Sequence, residues 1–432
     1  MWSGCASYTK KVSISPADIA ATVAYANQHR GEDSVKLLLR GGLPANIDPR
    51  MLADQLDGVA YATVKWPSLA ACDNFAYPCR LSREQSSSET AARYKAEAIV
   101  ARNSDTDETG KCSRLPEIAD LTGGMGVDSL MFAKVADRVD YIERDSDLYG
   151  IMAYNVQALG YGNVTCHNLD CTEWLATVNR HYDWLYIDPA RRGGNGRKLV
   201  NLADCQPNVV ELLPKLAAAG ERVLIKASPM TDVSEGLRLL SNPMVQVVVE
   251  EVHVVAVNHE CKEVLFVVAS RRATGVEKYG AEPQMHCVDI WDGGRWHNSF
   301  VYGKDTVPVY ADTCRRFLYE PNAALMKCAP WGEISRCYGV SKLDRNTHLF
   351  TSDLLVKDFP GRVFEIEKEV QLKAKAIHRE VGKANVVVRN YPADVAGLRR
   401  QLRLAEGDGQ YLIATTVRGE KKGLLCHRIG LP

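Results

Sequence analysis

The chain of 432 residues lacks a long hydrophobic run: no apolar stretch approaches the roughly 20 residues that a bilayer-spanning helix needs. Its opening, Met1-Trp-Ser-Gly-Cys-Ala-Ser, lacks the basic start and extended apolar core of a secretion signal. It has no excess charge, with 53 lysines and arginines against 53 aspartates and glutamates, which excludes a surface coated everywhere in basic groups. Metal-knuckle spacing is missing too. Thirteen cysteines run from Cys5 to Cys426, and the closest pairs, Cys72/Cys79 and Cys166/Cys171, do not have the C-x-x-C interval. These absences set the expectation of a cytoplasmic protein with reduced thiols, no membrane association and no metal.

What is present centres on one stretch, Asp120-Leu-Thr-Gly-Gly-Met-Gly-Val-Asp128. Glu117-Ile-Ala-Asp120 before it reads as the end of a buried strand, and Leu130-Met-Phe-Ala133 after it as the apolar face of a helix. A strand turning through glycines into a helix suits a nucleotide: the backbone can approach closely, and the helix start offers N–H groups and a positive dipole end. Many α/β folds use such a turn, so its meaning depends on the residues around it.

The chain ahead of it is helical. Ser15-Pro16 opens a helix with a cap and a first-turn proline, and Ile19, Val23 and Ala26 share one face. Ser86-Ser-Ser-Glu89 reads as a capping box with serine first and glutamate three residues on. After the glycine turn, strand patterns at Val139–Ile142, Val164–His167, Trp184–Ile187 and Val223–Ile225 alternate with helical ones, which implies a parallel sheet with helices on both faces. The series ends differently. Val245–Val249, Val252–Val257 and Glu263–Ala269 are β-rich, with Asn258-His-Glu-Cys261 as a hairpin turn. A parallel sheet closed by a late hairpin suggests a Rossmann-like methyltransferase more than a dehydrogenase. Beyond it, Asp292-Gly-Gly marks another hairpin, and from Val363 a compact α+β module is expected, with a helix over Glu367–Arg379. From Arg362 onward, 14 basic side chains face 8 acidic ones, a modest surplus suited to phosphate contacts.

After the glycine turn, three acids fall at or near strand ends. Glu143 stands about 20 residues after the glycine turn, where a carboxylate can accept both ribose hydroxyls of a nucleoside. Asp170 can accept from an adenine amino group or, equally, cap the next helix. Asp188-Pro-Ala-Arg-Arg192 follows the apolar Trp184-Leu-Tyr-Ile187, so Asp188 sits at a strand tip in the crevice where α/β sheets bind ligands. There it can orient, or take a proton from, an attacking nitrogen or oxygen, while Pro189 fixes the turn. Arg191, Arg192, Arg197 and Lys198 can hold phosphates, and Lys226 at the end of the fifth strand faces the same crevice. Cys205 reads as a buried thiol, since nothing in the sequence positions it as a nucleophile.

Together, Asp120–Asp128, Asp188-Pro-Ala-Arg-Arg192 and Glu84-Gln-Ser-Ser-Ser-Glu-Thr-Ala-Ala-Arg-Tyr-Lys95 resemble the class I S-adenosylmethionine-dependent methyltransferases of Bacteroidetes that carry a THUMP-like C-terminal domain. The resemblance spans nearly the whole chain. It implies an α/β Rossmann-like core with a helical N-terminal domain and a small α+β THUMP-like module. It implies S-adenosylmethionine as cofactor, with Asp120, Thr122, Gly123, Gly124 and Gly126 lining it beside Asp188, Glu143 at its ribose and Asp170 at its adenine. THUMP domains are generally associated with RNA, notably tRNA, so structured RNA, tRNA or rRNA, becomes the expected partner. Asp-Pro-Ala-Arg departs from the Asp/Asn-Pro-Pro-aromatic motif of enzymes that methylate exocyclic amines, so base stacking must come from elsewhere.

The expected division is residues 1–84 helical, 85–274 methyltransferase, 275–317 a connecting hairpin, 318–361 ferredoxin-like and 362–432 THUMP-like. Two rival functions stay open: a small-molecule methyltransferase, which zero net charge suits, and a non-catalytic RNA-binding protein with a relic donor pocket. A nicotinamide-dependent oxidoreductase is a more distant reading, disfavoured by Asp-Pro-Ala-Arg and the late hairpin.

Overall fold

A computed structural model describes residues 15–102, 114–191, 201–241, 244–270, 282–304, 307–407 and 409–430. The chain forms two compact units. Residues 1–250 and 265–280 make the first, and residues 251–264 and 281–432 the second.

The first unit opens with helices Pro16–Gln28, Ser34–Leu39, Pro49–Lys65, Pro67–Ala70 and Arg80–Gln85. Ser15 caps the first of these by accepting from the Asp18 amide, and Ile19, Val23 and Ala26 are buried along it. Two side-chain amides stitch the segment Phe75–Tyr77 to the helices around it. Gln55 bonds the backbone of Phe75 and Tyr77, and Asn155, on the helix Ser146–Ala158, bonds both backbone groups of Ala76. The cap after Gln85 is two residues later than the sequence pattern suggests, at Ser88 and not Ser86. Ser88 accepts from the Ala91 amide, whereas the Glu89 carboxylate turns away to the Ser68 amide and Arg93. Helix Glu89–Tyr94 then widens into a π-helix over Lys95–Ala101.

The sheet of this unit is built from β1 (Glu117–Asp120), β2 (Arg138–Ile142), β3 (Val164–His167) and β4 (Tyr182–Ile187). A short antiparallel pair follows, β5 (Ala190–Arg191) and β6 (Cys205–Gln206), then β7 (Gly220–Ala227), β8 (Val247–Val257) and β9 (Glu260–Ser270), whose stretch 251–264 is counted with the second unit. Their order is β3-β2-β1-β4-β7-β9-β8. The first five are parallel, so their carboxyl ends share one edge. β8 is one continuous strand, not the two patterns separated near Glu250 in the sequence: alternation across the Glu250-Glu251 pair keeps its pleat. It returns through Asn258 and His259, both at positive φ (52° and 65°), as a tight two-residue hairpin requires. Insertion of the returning β9 between β7 and β8 is what separates this sheet from an all-parallel dehydrogenase sheet.

In the second unit, β10 (Gln284–Trp291) pairs parallel with Glu251–Val257 of β8 and antiparallel with β11 (Gly294–Val301). A seven-stranded sheet follows, made of β12 (Phe317–Pro321), β13 (Ser341–Lys342), β14 (Phe350–Ser352), β15 (Gly361–Val370), β16 (Asn385–Val388), β17 (Gln410–Val417) and β18 (Glu420–Ile429). Their order is β13-β14-β12-β15-β18-β17-β16. Ile413, Leu424 and Cys426 fill one face with Leu318 and Phe364; Leu412, Ala414 and Leu425 fill the other with Leu398, Leu402 and Ile377 from two helices. The helix expected over Glu367–Arg379 is shorter, Ala374–Glu380, because β15 runs on to Val370, pairing Lys368–Val370 with β18 after a register shift at Glu367. No helix among the described residues is long and apolar enough to cross a membrane.

Candidate active site

Position in the sheet decides which side chains meet. Asp120 ends β1, Glu143 follows β2, Asp170 stands three residues past β3, and Asp188 follows β4. All four therefore lie at the carboxyl edge of the parallel strands, the edge where α/β sheets bind ligands. Lys226 is the penultimate residue of β7. The β4–β7 register runs to Ile187↔Ile225, and one step on it brings Lys226 Nζ within 2.5 Å of Asp188 Oδ2. The sequence places Lys226 at the end of the fifth strand, facing the crevice; in the fold its ammonium partners the carboxylate at the tip of β4.

The glycine turn is packed from inside. A Cβ on Gly123 would come within 2.1 Å of the Tyr141 ring, and one on Gly126 within 2.2 Å of Met152 Sδ. Gly126 (φ 84°) and Gly124 (φ 54°) also need the left-handed region. Its amides are already engaged. Gly123 N donates to Ile142 O (2.9 Å), Gly124 N to Glu143 Oε2 (2.8 Å) and Gly126 N to Gly123 O (2.8 Å). The helix that comes next, Val127–Phe132, is short. The open N–H cradle expected from the glycine pattern is thus replaced by a turn closed on itself and tied to the end of β2. Such a turn suits a ligand without phosphates better than a pyrophosphate, which needs unsatisfied amides.

Glu143 braces this turn. Its second oxygen accepts from the Asp145 amide at 2.8 Å, and Asn168 binds its carbonyl. Asp170 is the cap of helix Cys171–Thr177: its Oδ1 accepts from Thr172 N (2.8 Å) and Thr172 Oγ1 (2.6 Å), and these bonds hold its pKa below the ordinary carboxylate value. Asp188 is anchored by its own amide, which donates to Thr122 Oγ1 at 2.6 Å, linking the tip of β4 to the glycine turn. Pro189 is next in the chain, and Ala190-Arg191 pairs with Cys205-Gln206. Cys205 is buried, with its thiol donating to Asn201 O. The Arg191 side chain, Arg192, Arg197 and Lys198 lie outside the described residues.

Behind the edge the expected Asp120 joins a buried polar cluster whose other members, Asp128, Ser87, Ser129, Tyr186 and Lys95, the sequence did not assign to the site. Asp120 is 1% exposed; its oxygens accept from Ser129 Oγ (2.5 Å) and the Thr122 amide (3.1 Å). Burial, with the charges of Asp128 and Asp188 nearby, pushes its pKa up to about 7 against the pull of Ser129. Asp128 accepts from Ser87 Oγ (2.8 Å) and Tyr186 OH (3.0 Å), and Lys95 Nζ lies 3.1 Å from its other oxygen. Burial alone would raise Asp128 as well. The charges of Lys95 and Lys226 and the Ser87 bond outweigh it, and the carboxyl sits below its ordinary value. Lys95, fully buried in the π-helix, also donates to Ser87 Oγ. Both belong to the Glu84–Lys95 stretch, which the sequence marks by a capping box and by the family resemblance without assigning either residue a role. π-Helical turns are frequent at functional sites.

In the second unit, Lys373, Lys375, Arg379, Arg400 and Arg403 are exposed on or beside the helices Ala374–Glu380 and Val395–Leu402, which pack against each other.

Comparison with known proteins agrees with this architecture. Residues 317–360 match a ferredoxin-like domain model, and residues 361–428 match one described as THUMP domain-like. A crystal structure described as a putative methyltransferase from Porphyromonas gingivalis W83 aligns at 26% identity and a TM-score of 0.83, covering 97% of this chain and 100% of that one. A putative RNA methyltransferase from Pyrococcus horikoshii aligns at 16% identity and a TM-score of 0.33, covering 47% of this chain and 96% of its own. No curated protein matches. The chain joins a Rossmann-like core, with the strand order of the methyltransferase fold, to a ferredoxin-like segment and a THUMP-like module.

Proposed function

We propose that the chain is an S-adenosylmethionine-dependent methyltransferase acting on structured RNA, a tRNA or an rRNA, in the cytoplasm. The observation that carries this reading is the Asp188–Lys226 pair at the carboxyl edge, bonded through Thr122 to a glycine turn whose amides are satisfied internally. Four carboxylates gather along that edge. They favour a cationic sulfonium donor and disfavour a polyphosphate. Asp120, Thr122, Gly123, Gly124 and Gly126 would line the donor, Glu143 would accept its ribose hydroxyls on lone pairs left by the two amides, and Asp170 would meet its adenine. The donor supplies an electrophilic methyl group, so the protein needs only to align a nucleophile and receive its proton. Lys226 holds Asp188 Oδ2 and fixes the carboxylate; Oδ1 would orient the attacking atom and take the proton. Arg191, Arg192 and Arg197 would grip the RNA backbone. The THUMP-like match and the exposed basic side chains of the second unit support RNA over a small molecule.

Labelled methyl transfer from S-adenosylmethionine to total RNA, from cells lacking the protein, tests the reading. The Asp188→Ala variant is expected to lose about 100-fold or more in kcat, with donor affinity by calorimetry falling by a much smaller factor. RNA affinity is expected to fall steeply with salt. Donor binding without label in RNA overturns the substrate and favours a small molecule; no donor binding overturns the enzyme reading altogether.

A further inference from the structure

Glu251 and His253 lie two residues apart on β8, so they share a face. The β8–β10 register places His286 directly opposite His253, and the β10–β11 register sets Val288 opposite His297. All four side chains therefore belong to one face of three neighbouring strands. His253 and His286 are 1% and 5% exposed, and their rings stack 4.4 Å apart, inclined by 16°. Both direct Nε2 at a single carboxylate oxygen: Glu251 Oε2 is 2.9 Å from His253 Nε2 and 3.8 Å from His286 Nε2. One ligand atom from each residue falls within a 4.8 Å span.

We infer that Glu251, His253 and His286 form a binding site for a zinc-like divalent transition-metal ion. In tetrahedral coordination with bonds of about 2.0–2.1 Å, ligand atoms stand roughly 3.4 Å apart, and the two distances to Glu251 bracket that value. Two imidazoles and a carboxylate suit zinc, cobalt or nickel, whereas calcium and magnesium call for all-oxygen sets. The outer support is already built. His286 Nδ1 lies 3.1 Å from His297 Nε2, so a proton held on Nδ1 and donated to His297 leaves Nε2 of His286 as the metal-facing nitrogen. Closing on an ion tilts the stacked rings about their χ2 bonds. The ion would pin the middle of β8 to the start of β10, and water would complete the coordination. Nothing in this site depends on the methyltransferase reading, because none of its residues belongs to the first unit.

Metal-stripped full-length protein is titrated with zinc by calorimetry and with cobalt by visible spectroscopy. The expected result is one equivalent bound, a tetrahedral cobalt spectrum without sulfur-to-metal charge transfer, and a rise in melting temperature. His286→Asn and Glu251→Gln should each weaken binding at least 100-fold, and His297→Ala about 10- to 100-fold. Melting of each variant without metal shows whether it remains folded. Binding that survives in a folded His286→Asn variant, or a sulfur charge-transfer band, places the ion on thiols and overturns the site. Absence of binding at a hundred-micromolar zinc overturns it as well.

Discussion

Two aspartates one strand apart, both 1% exposed, have opposite electrostatic fates. Asp140, inside β2, accepts from Arg138 Nε (2.7 Å), His167 Nε2 (2.7 Å) and Tyr182 OH (2.8 Å). Burial is the largest single influence and opposes ionisation, but these bonds outweigh it and hold Asp140 below the usual carboxylate range. Asp120, at the tip of β1, has one hydroxyl and one amide, with two further carboxylates as neighbours. Lys95, buried in the same cluster, pairs with Asp128, and Lys226 with Asp188. An aspartate that serves only packing is saturated by cations. One left raised, at a strand's carboxyl end beside a glycine turn, marks where the fold tolerates an unfavourable charge, and such tolerance is a feature of ligand sites.

The contrast breaks most sharply at Lys95. Replacing it by methionine leaves Asp128 buried like Asp120, with hydroxyls for partners and no ion pair. Removing one member of a buried pair costs about 3–5 kcal/mol, and Lys95 is fully buried. The sign with pH comes from Asp128, whose folded pKa is depressed: its stabilisation is present above its unfolded pKa and is lost as pH falls through the folded value. In Lys95→Met the largest influence opposing burial is gone, so Asp128 is pushed upward as Asp120 is. The variant regains stability on protonating it, so the deficit against wild type should be large at pH 7 and smaller at pH 4. Urea denaturation at both values measures it; an equal deficit at both would mean that Lys95 acts by packing alone.

Asp140→Ala sharpens the other side. Arg138 is partly exposed and recovers some hydration, which places the loss at roughly 2–3 kcal/mol. The melting temperature should fall, while donor affinity of the folded protein stays at the wild-type value. A comparable loss of donor affinity would end the distinction between a packing acid and a site acid.

Much of this arrangement was legible along the chain. Strand ends, the glycine turn and the acids at the sheet edge follow from hydrophobic period and local turn chemistry, which act over a few residues. Pairings made by register did not. Glu143 reaches back 19 residues to the Gly124 amide, and Lys226 meets Asp188 across two neighbouring strands, a pairing that no local pattern announces. Lys95 was hidden by a helix that opens at Ser88, not Ser86, and then changes pitch. His253 and His286 stand 33 residues apart in the sequence, and only parallel pairing of β8 with β10 aligns them. A metal search guided by cysteine spacing passes over them.

The smallest expected effect tests the raised acid itself. Asp120 has a folded pKa of about 7, against roughly 3.9 unfolded. Its protonated form therefore stabilises the fold below the unfolded pKa, and that contribution is lost as pH rises through the folded one. Asparagine keeps the geometry without the charge: its oxygen can accept from Thr122 N and its amide can donate to Ser129 Oγ. Relative to wild type, Asp120→Asn should therefore gain stability between pH 5 and pH 8, by about 2 kcal/mol. Chemical denaturation at the two pH values reads the difference directly. A flat difference would mean that Asp120 is ionised throughout, as Asp140 is, and that its neighbours supply more positive potential than Ser129 and one amide provide.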